Sequence, residues 1–291
     1  MSICVLKNDQ LTATFSTMGA EGISVKRGAC EYIWQGDPTY WKGKAPMLFP
    51  ICGRLFGGNY TYGGKTYEMT NHGFMRNVEF TLKSATEDTA VFELVANDET
   101  REMFPFEFCL TVTHRLKGAT ISTEIAILNT GDRILPCTFG AHPGFNVPLE
   151  GEGKFEDYVL EFGEPCSPDE VVMTDTCFLT GGRRAYPLED GKTLPLRHSL
   201  FNIDAIFLAR VADSVTLKSK TTERSVTLAY PDMPYLGIWH APRTEAPYVC
   251  IEPWCGLPTY DGVTDAFEQK PDMFRLQPGA EKKITFEVTY R

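Results

Sequence analysis

The chain has 291 residues, 43% hydrophobic and 12% aromatic, enough apolar side chain for a substantial core. Its 28 basic against 38 acidic residues give a formal charge of −10, which argues against a nucleic-acid or anionic-membrane partner. No run of 18 apolar residues occurs, and the start, Met1-Ser2-Ile3-Cys4-Val5-Leu6-Lys7-Asn8, lacks a basic region before a long apolar stretch. Neither a membrane span nor a signal peptide is expected, and the chain reads as a cytoplasmic enzyme.

From the N-terminus, Gly57-Gly58-Asn59 and Gly63-Gly64-Lys65 read as turns, and a strand-like stretch ends in Tyr67, Glu68 and Met69. Residues 78–82 and 90–95 carry the β-branched and aromatic side chains that suit strands. From 106 to 116 the period is two, with Phe106, Phe108, Leu110, Val112, His114 and Leu116 on one face. Lys117-Gly118 supplies a turn and 121–127 alternates again, which predicts a hairpin. Asn129-Thr130-Gly131-Asp132 and Gly181-Gly182 read as further turns, and 215–217, 226–228, 248–251 and 284–290 as further strands. With 25 Gly and 19 Pro, few windows could hold a four-turn helix. No linker, repeat or low-complexity segment interrupts the pattern. The expected fold is all-β, one large antiparallel β-sandwich domain over residues 1–291. The nine cysteines are scattered, odd in number and without a Cys-x-x-Cys pair, so free thiols are expected rather than disulfides or zinc ligands.

Three stretches place one titratable side chain among Gly, Pro and aromatic residues: Asn71-His72-Gly73-Phe74-Met75-Arg76, Ala141-His142-Pro143-Gly144-Phe145 and Ile251-Glu252-Pro253-Trp254. Two imidazoles and a carboxylate are a kit for moving protons on a small polar substrate. Taken alone, His72 reads first as a turn histidine bonded to backbone. Pro143 restricts His142 to extended geometry and removes the next donor, so a strand breaks there and opens space beside the ring; a satisfied core histidine is the competing reading. Glu252 ends an apolar strand against Pro253, where burial raises a carboxyl pKa unless an arginine pairs with it. Trp254 adds an aromatic face of the kind that stacks on sugars. Arg54 follows Gly53 and offers either a planar fork to substrate oxygens or a surface charge. His114 reads as packing, His198 as solvated, and His240 as able to line a groove. No nucleotide-binding glycine pattern, Gly-x-Ser-x-Gly elbow or His-Glu-x-x-His motif is present. In composition alone, His72, His142 and Glu252 also match a two-His-one-carboxylate metal site.

These motifs, in this order, resemble the aldose 1-epimerase (galactose mutarotase) family, and most closely its LacX-type branch. Phe49-Pro50-Ile51-Cys52-Gly53-Arg54-Leu55, Tyr235-Leu236-Gly237-Ile238-Trp239 and Leu276-Gln277-Pro278-Gly279 extend the resemblance over nearly the whole chain. It implies a galactose mutarotase-like supersandwich with the site in an open groove across one sheet. It also implies Glu252 as base, His142 as acid, His72 on the ring oxygen or a neighbouring hydroxyl, and Arg54 and Asp204 on the remaining hydroxyls. No cofactor or metal is implied, and the expected partner is a small-molecule sugar or sugar phosphate, bound by a monomer or homodimer. The His-Gly-Phe-x-Arg stretch ending at Arg76 is also similar to hexose-6-phosphate epimerases, with Arg54 and Arg76 then clamping a phosphate. The same residues would also suit a non-catalytic carbohydrate-binding protein or a metal-dependent enzyme.

Overall fold

The computed structural model describes residues 1–291 except Glu150, Glu152 and Lys220, and its centre is built by the alternation between residues 106 and 127. Phe108–Lys117 and Thr120–Asn129 form an antiparallel hairpin in which Leu110 faces Ile127 and Val112 faces Ile125. All four side chains are buried, each contributing about 1.5–3 kcal/mol on leaving water. Among the described residues this hairpin lies within a nine-stranded antiparallel sheet. Its order is Thr193–Pro195, Tyr158–Phe162, Ser214–Ser219, Ser225–Ala229, Glu281–Tyr290, Thr120–Asn129, Phe108–Lys117, Thr89–Val95 and Thr81–Ala85.

An eight-stranded antiparallel sheet carries the site. Its order is Leu179–Ala185, Asp169–Met173, Ile206–Ala209, Tyr235–Trp239, Tyr248–Trp254, Gly140–Ala141 and Met47–Leu48, with Gly144–Asn146 also paired to Tyr248–Trp254. Leu208, Leu236, Ile238, Val249 and Ile251 from this sheet share one apolar core with Leu110, Val112, Ile125 and Ile127 from the other. That shared core makes the molecule a β-sandwich. Phe49 ties the core to the site: its ring meets Phe74, Phe104 and Phe108 with centroids 5.8, 5.9 and 5.4 Å away.

Local readings needed three corrections. The strand expected at 78–82 starts later, at Thr81–Ala85, because Met75–Asn77 form a 3-10 turn. Val78 and Phe80 still bury their side chains, with Val78 O accepting from Gly19 N–H and Phe80 N–H donating to Thr17 O. Gly181-Gly182 lies inside Leu179–Ala185 rather than at a turn: Gly181 takes φ +83° opposite a register shift between Val171 and Met173. A bulge uses the same glycine freedom as a turn. Third, the strand with Glu252 does not stop there but runs through Pro253 to Trp254. Ile251 N–H donates to Pro143 O and Cys255 N–H to Phe139 O. Pro253 lies between these two donors, opposite Ala141, so its ring forfeits one bond of the ladder while the bonds at Ile251 and Cys255 hold the strand on either side. Among the described residues no cysteine forms a disulfide, and no described helix is long and apolar enough to cross a membrane.

Candidate active site

Alternation along Tyr248–Trp254 decides which side chains reach the site. Val249 and Ile251 enter the sandwich core, so Tyr248, Cys250, Glu252 and Trp254 stand on the opposite face. Gly237 is the cross-strand neighbour of Glu252. A Cβ there would lie 2.8 Å from the Phe207 ring and 3.2 Å from Glu252 Cβ, so the glycine leaves the carboxyl its room. On the other side of the strand, the His142-Pro143 break expected from sequence separates Gly140–Ala141 from Gly144–Asn146. His142 N–H donates to Pro46 O at 2.9 Å, and Nε2 lies 3.3 Å from Glu252 Oε2. Among the described residues the ion-pair partner of Glu252 is His142, not an arginine.

His72 occupies a turn at φ +66°, and its Nδ1 accepts the Gly53 N–H at 3.0 Å. The backbone-bonded turn histidine and the site histidine are thus the same residue. Because Nδ1 accepts, the neutral ring carries its proton on Nε2 and can only donate from there. Gly73 makes the turn possible: at φ +72° a Cβ would sit 2.1 Å from Phe49 O. The His72 ring stands 5.5 Å from both the His142 and the Trp254 ring.

Arg54, Arg76, Asp204 and Trp254 join these three around one cavity of about 350 Å³, so all seven expected residues line the same space. Thr259 holds Arg54 by donating both N–H and Oγ1–H to its carbonyl, at 3.0 and 2.8 Å. Arg76 is half-buried and donates to Asn71 O at 2.9 Å. Asp204 Oδ1 accepts from Ala205 N–H at 2.9 Å and Oδ2 from Cys177 Sγ–H at 3.0 Å. Trp254 is only 2% exposed and packs on Phe207 at 4.5 Å.

The aldose 1-epimerase profile matches residues 2–289. The chain belongs to the aldose 1-epimerase family. It is similar to Protein LacX of Lactococcus lactis subsp. lactis, 38% identical over 295 residues with 98% of either chain covered. A galactose mutarotase related enzyme from Lactobacillus acidophilus superposes with a TM-score of 0.94 at 33% identity, covering 100% of this chain and 97% of that one. A galactose mutarotase-like protein from Lactobacillus casei ATCC 334 gives 0.93 at 32% identity, with both chains fully covered. The fold is therefore galactose mutarotase-like, and membership in the aldose 1-epimerase family implies an isomerase acting on a sugar.

In this family member burial dominates the electrostatics of the three titratable groups. Burial pushes the Glu252 carboxyl well above the usual carboxylate range, and the Asp204 charge adds to the effect. Burial lowers His142 to about 3, with Arg76 adding a small push the same way. It also holds His72 far below an ordinary histidine, helped by His142, Arg76 and Arg54. Glu252 Oε1 is buried with no hydrogen-bond partner among the described residues. Burial thus favours one proton held by a neutral His142–Glu252 pair over separated charges.

Trp41 and Trp239 were not assigned from sequence, yet they wall the cavity beside His142, whose ring stacks on Trp41 at 5.0 Å and meets Trp239 edge-on at 5.7 Å. Strand parity could have found Trp239, because it pairs with Cys250 on the Glu252 face. No local signal marks Trp41. Cys177 also lines the cavity without any sequence signal. His240 does not line the cavity: following Trp239, it turns to the other side, donating from Nδ1 to Ala241 O at 2.8 Å. His198 is half-buried rather than fully solvated. It stacks on Phe155 at 4.2 Å, and its Nδ1 is 3.0 Å from His240 Nε2. His114 is the packing residue expected, buried between Thr123 Oγ1 and Ala20 O. Among the described residues, the donor atoms that converge as metal ligands could are those of His142, Cys250 and Glu252 rather than two imidazoles and a carboxylate.

Proposed function

We propose that the protein is an aldose 1-epimerase interconverting the α and β anomers of a sugar by ring opening and closure, with residues 1–291 acting as one domain. The observation that carries this reading is the 3.3 Å contact between His142 Nε2 and Glu252 Oε2 on the wall of a sugar-sized cavity. Glu252 as carboxylate takes the proton of the anomeric hydroxyl. The C1–O1 bond becomes a carbonyl, the bond from C1 to the ring oxygen breaks, and His142 as imidazolium protonates that oxygen. The pair then holds its proton on Glu252, with His142 neutral. This is the low-charge form that burial favours, so burial of the pair stabilises the enzyme half of the open-chain complex. After rotation about C1–C2, His142 removes the proton from the hydroxyl and Glu252 protonates the carbonyl oxygen, closing the ring on the other face. His72 donates its Nε2–H to the ring oxygen or a neighbouring hydroxyl. Asp204 and Arg54 hold further hydroxyls, and Trp254 with Trp41 and Trp239 supplies apolar walls for the ring faces. Paired proton transfers of this kind contribute about 10²–10⁴-fold each.

A second reading, a hexose-6-phosphate 1-epimerase, is favoured by one observation: two guanidiniums, Arg54 and Arg76, line the cavity of a chain with net charge −10. Exchange of α and β anomers, followed by NMR over a panel of free and 6-phosphorylated aldoses, tests both. Acceleration of free sugars supports the first reading, and acceleration confined to phosphorylated ones the second. Binding without acceleration of any sugar would leave a carbohydrate-binding protein of the same fold.

A further inference from the structure

We propose that His142, Cys250 and Glu252 also form a binding site for a zinc-class divalent cation, and that the ion blocks anomer exchange by occupying the proton pair. The second half of the proposal rests on the function argued above, and the first half does not. Cys250 and Glu252 are two apart on one strand, so period two puts both on the face opposite the core. His142 reaches the same point from the strand break across the sheet. One donor atom from each lies within 4.8 Å of the other two, and all three residues are buried. Zinc at about 2.0–2.3 Å from its ligands spaces them a little closer than this bound, a gap that side-chain rotation closes.

Donor chemistry selects the ion. A thiolate and an imidazole prefer zinc-class cations over magnesium or calcium, which want oxygen shells. Charge balance supports it further. The dication replaces two protons, one from the Cys250 thiol and one from the His142–Glu252 pair. Thiolate, carboxylate and neutral imidazole then leave the buried site with no net charge, so desolvation opposes binding less than it would an isolated ion. Glu252 Oε1, buried without a partner among the described residues, provides a further carboxylate oxygen. A fourth ligand position would open towards the cavity that His142 and Glu252 line. With the ion bound, neither residue can accept or deliver a proton.

Chelator-treated protein is titrated with Co²⁺ as a spectroscopic stand-in for zinc. One equivalent should produce a thiolate-to-cobalt charge-transfer band in the near ultraviolet, absent in Cys250→Ser and in Cys250→Ala. Alanine avoids the buried hydroxyl, so at least one variant should fold. Calorimetry of Zn²⁺ binding in buffers of different ionisation enthalpy should return two protons released. Zn²⁺, but not Mg²⁺, should then inhibit exchange by the parent protein, and Cys250→Ala should need at least ~10-fold more zinc. The metal site is overturned if no band forms, or if band and zinc binding persist unchanged in both Cys250 variants. Blockade is overturned if the one-equivalent zinc complex exchanges anomers at the parental rate. Because the band is read without turnover, its outcome is independent of whether the protein proves to be an epimerase.

Discussion

His142 stands directly across the sheet from Glu252, although Pro143 interrupts the ladder between them. Gly140 pairs with Trp254 and Gly144 with Cys250, and continuing that register over the break sets residue 142 opposite residue 252. The acid–base pair is therefore a cross-strand pair, a geometry that brings side chains to within about 5.5 Å at Cβ. The sheet itself holds the two groups in place, with Gly237 on the next strand clearing space for the carboxyl.

Glu252→Gln should reduce anomer exchange by about 10²–10⁴-fold, the contribution of one positioned base. The amide keeps the shape and can still meet His142, so the melting temperature should change little. Exchange rate and melting temperature on one preparation check this. Parental exchange in the variant would exclude Glu252 as the base.

The pH profile of exchange, corrected for the spontaneous reaction, should be a broad bell. The active pair carries one proton. Adding a second requires protonating His142 against burial that lowers it to about 3, so the acid limb lies well below the ordinary histidine range. Removing the one proton requires ionising Glu252, whose carboxyl burial raises, so the alkaline limb lies above the ordinary carboxylate range. A flat profile from pH 4 to pH 9 is compatible with an alkaline limb above 9. An acid limb centred near pH 6.5 would instead mean that His142 titrates as an exposed histidine and is not in the pair described.

Exchange should survive exhaustive dialysis against a chelator, because the pair supplies both the acid and the base for ring opening. Loss of turnover on chelation, restored by one added metal, would count against that chemistry.

Acid destabilisation should show the imprint of His114. Its Nε2–H donates to Ala20 O and its Nδ1 accepts from Thr123 Oγ1, so the buried ring is neutral, and burial lowers it to about 4. The unfolded histidine takes up its proton near 6.5. Stability is therefore fully present above that pH and is lost as pH falls towards 4. Between pH 7 and pH 5 the loss from this one residue is about 2 kcal/mol. Urea unfolding at both pH values should show that difference shrink in His114→Gln. An unchanged difference would mean that His114 titrates normally in the folded protein.

The sequence by itself determined the strands whose side chains alternate, such as 108–117 and 120–129, because period two is written in consecutive residues. It also determined the break at His142, since the ring of Pro143 constrains its neighbour and removes a donor whatever the tertiary context. The motifs around His72, His142 and Glu252 named the residues that come together. Tertiary structure alone decided that Pro253 would be tolerated inside a strand, because that depends on the bonds that Ile251 and Cys255 make to Pro143 and Phe139 on either side of it. It also turned His240 away from the cavity and sent Trp41 in to stack on His142. Cross-strand register and cavity walls are relations among residues tens to hundreds of positions apart, set by how two sheets bury a shared core, and no local pattern of side chains encodes them.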